Sequence, residues 1–178
     1  MDRERSPGDH ARGAARQGAY AGGAEAEAGA GVREPGGGAD RVTERLPAEF
    51  WATPYVGRRY PGSRSVAERP GLAEGANCQL FAYAVLAHFG LHVPAWRSSD
   101  LWADTERSVR VRTPEPLDLA LFNRADDAWG AHVGVVAGEG LVLHLCAEVG
   151  RPAVWPPGAF AARERYRTLL GHKRLRAS

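Results

Sequence analysis

One stretch constrains this chain more than any other. Residues 78–89 read CQLFAYAVLAHF, with no Gly or Pro, and they are bracketed by Asn77 and Gly90. Asn is a good N-cap, because its side-chain oxygen can accept from a free N–H of the first turn, and Gly suits the left-handed residue that ends a helix. Cys78, Phe81, Val85 and His88 fall on one face at helical spacing. This is the clearest helix, and it comes before most of the strand-like sequence.

After Pro94, WRSSDLWADT reads as a second short helix with Ser98 or Ser99 as its cap. SVRVRTPEPLDLALFNR alternates around paired prolines, as a strand, a turn and a strand would. HVGVVAGEGLVLHLC has the pattern of a hairpin turning at Gly138-Glu139-Gly140, and the tail from Phe160 to Arg174 suggests a helical turn and a last strand. A helix followed by strands, without βαβ repeats, predicts an α+β domain with the helix packed across an antiparallel sheet.

The chain has 178 residues, enough for one ordinary domain. Residues 1–44 are Gly, Ala, Arg and Glu with almost no large apolar side chain, so they are expected to be a disordered tail. The glycines there do not form a nucleotide loop, since no strand precedes them and no helix pattern follows. The folded domain is expected at 45–178, beginning just before Leu46. A net charge of +2 with scattered basic residues gives no support to a nucleic-acid or membrane-surface role. No segment has the apolar length of a membrane span, and no signal peptide is visible, so the sequence as it stands predicts a cytoplasmic protein. Export by another route, or a mis-assigned start, stays open.

Chemistry points to Cys78. A thiol is nucleophilic as its anion, and the first turn of a helix favours that anion through unpaired N–H groups and the dipole. The same N–H groups suit an oxyanion. The competing reading is a small buried hydrophobe.

Two histidines weigh against that reading. A hairpin centred on Gly138 puts His132 directly opposite His144, on one face with Gly134, Val136, Val142 and Cys146. Val133, Val135, Leu141, Leu143 and Leu145 take the other face. The expectation is a thiol whose pKa is lowered by the helix end and an imidazolium. A slip of one residue in register would undo the histidine pairing.

The order Cys, His, His resembles the NlpC family of papain-like cysteine peptidases, over about Phe50 to the C-terminus. VGRRY is similar to the G-x-x-Y segment ahead of the nucleophile, CQLFAYAVLAHFGLHVPAWRSS to the nucleophile helix and its Arg-Ser turn, and PLDLALF to the strand entry. HVGVVAGEG and LVLHL resemble the strands of the histidine and of the third polar residue. The resemblance implies a papain-like core and hydrolysis of an amide bond, often in peptidoglycan stem peptides, so that the partner is a peptide or peptidoglycan fragment. It implies Cys78 as nucleophile, His132 as base, His144 as the residue that orients His132, and Tyr60 near the thiol on the substrate or oxyanion side. No cofactor is implied.

The nucleophile segment departs from the pattern. The family usually has Asp-Cys-Ser-Gly, where Asp and Ser help hold the charged end of the substrate peptide, and this chain has Asn77-Cys78-Gln79-Leu80. That start is also similar to acyltransferase relatives, which carry the histidine before the cysteine. The alternative is a degenerate papain-like domain that binds a peptide or protein partner without cleaving it. Asp118 reads as a turn or structural carboxylate. Zinc on Cys78, His132, His144 and Cys146 is disfavoured by a spacing unlike a knuckle.

Overall fold

Asn77 and Gly90 do in three dimensions what the sequence suggests. In the computed structural model, which describes residues 40–176, the Asn77 side chain accepts from Leu80 N at 2.8 Å, and helix Cys78–His88 ends before Gly90 at φ 81°. In chain order the helices are α1 (Asp40–Glu44), α2 (Ala48–Trp51), α3 (Arg64–Glu68), α4 (Cys78–His88), α5 (Ser98–Ala103) and α6 (Pro157–Ala161). A 3₁₀ turn, Glu164–Tyr166, follows α6. The strands are β1 (Ser108–Val111), β2 (Leu119–Asn123), β3 (His132–Gly138), β4 (Leu141–Leu145), β5 (Pro152–Trp155) and β6 (Thr168–Leu175).

All six strands form one antiparallel sheet in the order β1-β6-β2-β3-β4-β5, and α4 packs on β3 and β4. The fold is α+β, as expected. The last strand inserts between β1 and β2, so the two strands flanking the paired prolines do not pair with each other.

Every residue of β3 is buried because the sheet is covered on both faces. On one face Phe81, Val85 and Leu86 of α4 meet Val133, Val135, Leu143 and Leu145. Each fully buried side chain of this size contributes roughly 1.5–3 kcal/mol. The opposite face carries a smaller cluster of Ala120, Phe122, Val136, Val142, Cys146, Phe160 and Tyr166, with Trp155 against it. The alternation of β3 and β4 divides the residues as the sequence predicts.

The N-terminal boundary is earlier than expected. The predicted disordered segment 1–44 falls, for residues 1–39, outside the described residues. Residues 40–44 are α1, and Val42 within it and Leu46 just past its end are both buried in the core. The short helix after Pro94 starts at Ser98 with Arg97 as N-cap, and Asp100 accepts from Arg97 N at 3.0 Å. Ser98 Oγ donates instead to Ala128 O at 2.7 Å.

The loop 61–76 is held by the buried Arg59. Its guanidinium donates to the carbonyls of Gly75 (2.7 Å), Ser65 (2.8 Å), Arg69 (2.7 Å) and Gly71 (3.1 Å). Five N–H donors in a planar fork can satisfy several carbonyls that a loop leaves unpaired. This pinning presents the N-terminus of α4 in a fixed place, since Asn77 N donates to Arg59 O at 2.8 Å.

Candidate active site

Cys78, Gln79, Arg97, Arg124, His132, Arg165 and Tyr166 are among the residues around one cleft of about 290 Å³, at the meeting of the α4 N-terminus with the β3 start. Cys78 is half-buried as a residue, and its thiol lies within hydrogen-bonding reach of Val133 N–H, one residue from His132. The cap geometry fixes this. Asn77 Oδ1 takes Leu80 N and Asn77 O takes Phe81 N at 3.1 Å, so the earlier N–H groups of the helix, those of Cys78 and Gln79, point at the thiol.

His132 and His144 meet through a hydrogen bond of 2.9 Å between His132 Nε2 and His144 Nδ1. The rings are nearly perpendicular at 85°, with centroids 5.0 Å apart. Their strand register differs from the sequence reading by two residues. Val135 pairs with Leu143 and Val136 with Val142, and the ladder shifts between Val136 and Gly138. This bulge, with φ 132° at Gly138 and 49° at Glu139, absorbs residues that the symmetric turn assigned to the ladder. A shift of two preserves parity, so the histidines keep a common face and meet diagonally.

Gly134 gives them room. A Cβ there would lie 2.5 Å from Val142 Cγ1 and 3.3 Å from His144 Cβ.

Aromatic rings enclose the far side of the pair. His144 stands 4.2 Å from the Trp155 ring and 4.8 Å from Phe160, and His132 stands 4.6 Å from Tyr166. Phe160 stacks on Phe122 at 4.1 Å. Among the described residues, His144 Nε2 is a buried nitrogen without a hydrogen-bond partner.

This enclosure sets the protonation states. Burial, then the neighbouring His144 and Arg165, hold the His132 pKa well below the usual imidazole range. Burial and the Arg163 charge bring His144 down to about 4, against a smaller opposing effect of Glu148. Burial pushes the Cys78 thiol up, while the N–H groups of Val133, Gln79 and Cys78 pull the other way and are outweighed. Both shifts run against the thiol ionised by its helix end and an imidazolium that the sequence suggests, because burial favours the uncharged forms of Cys78 and His132.

Of the residues singled out in the sequence, Cys78 and His132 border the cleft, and His144 lies behind His132. Tyr60 does not border it. Its ring packs under the Arg97 guanidinium at 4.1 Å, and Tyr55 stands on the cleft wall instead. The segment before α4 explains this: Tyr55 bridges Ala76, and Val56 N donates to Ala76 O at 2.8 Å, which draws Tyr55 beside Cys78. The sequence signal for Tyr55 is absent, because the bridge joins residues that no local pattern links.

Asp118 accepts from Glu115 N at 2.7 Å and pairs with Arg174 at 2.8 Å, a structural setting. Both cysteines are free thiols, and Cys146 is buried at the cleft floor. Of the tryptophans, Trp155 supports His144, whereas Trp129 is 70% exposed.

No protein-family model matches the chain. No curated protein matches it either. Among solved structures, the NlpC/p60 domain of the peptidoglycan hydrolase SagA is similar, at 22% identity, with 64% of this chain and 86% of that chain covered and a TM-score of 0.43.

Proposed function

We propose that the chain is a cysteine hydrolase of NlpC type that cleaves an amide bond with Cys78, His132 and His144. The observation that carries this reading is the 2.9 Å bond from His132 Nε2 to His144 Nδ1 beside the helix-capped thiol. With Nε2 engaged, Nδ1 is the nitrogen of His132 left to take a proton. For Nδ1 to be a base the ring proton must sit on Nε2 and be donated to His144 Nδ1, which leaves the His144 proton on Nε2 among the aromatic rings.

In this scheme the thiol proton passes to His132 Nδ1 as sulfur attacks the carbonyl carbon. The N–H groups of Cys78 and Gln79 hold the oxyanion. His132 then protonates the departing amine, and the thioester is hydrolysed by a water that gives its proton to His132. The nucleophile is made during attack, in keeping with a resting pair that is neutral. Peptidoglycan stem peptides are the substrate class suggested by the sequence motifs.

The test uses a peptide vinyl sulfone and a set of stem peptides. Cys78 is expected to be labelled in the native protein, more slowly in His132→Ala, and new amines are expected from the peptides with the native protein but not with Cys78→Ala. With iodoacetamide, the rate at Cys78 should climb with a midpoint above the ordinary thiol value of 9.0. A midpoint below 7 would show an ion pair at rest. If peptides bind yet none is cleaved and Cys78 stays unlabelled, the chain is the binding domain of the alternative reading.

A further inference from the structure

The walls of the cleft carry an unbalanced charge. Among the described residues, Arg97, Arg124 and Arg165 border it, and no Asp or Glu does. They come from separate segments: Arg97 precedes α5, Arg124 follows β2, and Arg165 lies in the 3₁₀ turn. Chance neighbours in sequence do not account for their convergence.

The guanidiniums of Arg124 and Arg165 have no carboxylate partner among the described residues. Glu164 and Asp126, the acids nearest in sequence to Arg165 and Arg124, do not border the cleft. Glu148 pairs with Arg163 at 2.8 Å, Asp127 accepts from Trp129 N at 2.8 Å, and Asp100 accepts from Arg97 N. Arg97 and Arg165 lie over tyrosine rings, at 4.1 Å on Tyr60 and 5.9 Å on Tyr166, contacts that leave the guanidinium edges free for hydrogen bonds.

The residues flanking the nucleophile are already committed. Asn77 Oδ1 caps the helix. The Gln79 amide donates to Tyr83 Oη at 2.7 Å and to Trp96 O at 3.0 Å. Neither can read a substrate without giving up a structural bond. The arginines are the charged groups left to do so, beside the Tyr55 and Tyr166 hydroxyls.

We infer that this cleft takes an amide substrate bearing a carboxylate beside the bond to be cut, held by Arg124 and Arg165, with Arg97 a further positive charge on the cleft wall. This deepens the proposed hydrolase reading and rests on it for the cleavage. Arginine suits a carboxylate through paired N–H donors, and a cleft with one sign of charge concentrates ligands of the other. The Arg165 charge is felt within the site, since it also lowers the His132 pKa.

The test separates charge recognition from catalysis by alkylating Cys78 with iodoacetate and with iodoacetamide, reagents that differ by one negative charge. Modification at Cys78 is followed by peptide mass analysis so that Cys146 does not interfere. At low salt the iodoacetate-to-iodoacetamide rate ratio should exceed that of N-acetylcysteine by about tenfold or more. It should fall toward the free-thiol value in 0.5 M salt and in the Arg124→Gln, Arg165→Gln double variant, with circular dichroism confirming that the variant is folded. Glutarate, but not glutaramide, should protect Cys78 from iodoacetamide, and phosphate at equal ionic strength should protect less.

A free-thiol ratio in the native protein, or an undiminished ratio in the folded double variant, overturns the inference. Equal protection by phosphate overturns the carboxylate assignment. None of these outcomes depends on turnover, so a protein with the raised ratio that cleaves nothing refutes the hydrolase reading alone.

Discussion

His144 is fully buried beside another histidine, and its Nε2 has no partner among the described residues. Such a side chain is tolerated uncharged and resists protonation. The unfolded chain takes up a proton at about 6.5, whereas the folded His144 refuses it until about 4. The folded pKa is the lower one, so the unfolded state binds more protons between these values. Stability is fully present above pH 6.5 and drains as the pH falls across the window, by about 3 kcal/mol from this residue. His132, lowered in the same direction, adds to the loss. Urea unfolding at pH 7 and pH 4.5 should show the drop, and His144→Phe should lessen it. The same variant deprives His132 Nε2 of its partner, so a hydrolase should lose turnover by a hundredfold or more, in the way that misorienting a catalytic imidazole does. A pH-independent unfolding free energy in the native protein would contradict the buried neutral pair.

At the scale of elements, β3 and β4 deliver the two imidazoles, and the delivery depends on a residue without a side chain. The register pairs Val136 with Val142, so Gly134 lies across from His144. A Cβ at Gly134 would meet Val142 Cγ1 at 2.5 Å and the Leu143 carbonyl at 3.1 Å. Backbone cannot yield as a flexible side chain can. Gly134→Ala should therefore cost about 1–3 kcal/mol by overpacking and should push His144 away from His132. The expected readouts are a lower denaturation midpoint and loss of the imidazole-to-imidazole hydrogen bond in nitrogen-resolved NMR. Unchanged histidine shifts would mean that the sheet parts without disturbing the pair. The common face of the histidines was legible in the sequence, because period-2 alternation survives any even shift. Their register was not, because the bulge at Gly138 arises from left-handed turn residues whose local pattern fits more than one ladder. The helix that carries Cys78 was legible at both ends, since a cap and a terminating glycine act within a single turn.

For the whole molecule the informative elements are the first and the last. The sequence suggests a strand near the C-terminus, but its partners are set by distant segments: β6 pairs β1 on one side and β2 on the other. Local pattern carries no information about that insertion. Nor does it reveal the aromatic enclosure, because Phe160 and Tyr166 belong to short helical turns whose only signature is being apolar among arginines. At the other end, Val42 and Leu46 are two isolated apolar residues in a polar run, yet both are core. Truncations at the two ends should therefore differ. Removing residues 1–39, which lack apolar anchors, should leave the melting temperature unchanged. Cutting further, before Pro47, removes two buried aliphatic side chains at roughly 1.5–3 kcal/mol each, and should lower it by several degrees. Ending the chain at Arg167 deletes a strand with a neighbour on both edges, isolates β1, and exposes the β2 edge, so the product should fail to give a cooperative transition. Melting of the three variants by circular dichroism decides the matter. A cooperative unfolding transition without β6 would show that the sheet from β2 to β5 is a self-sufficient unit, and the position of the last strand between β1 and β2 would lose its energetic meaning.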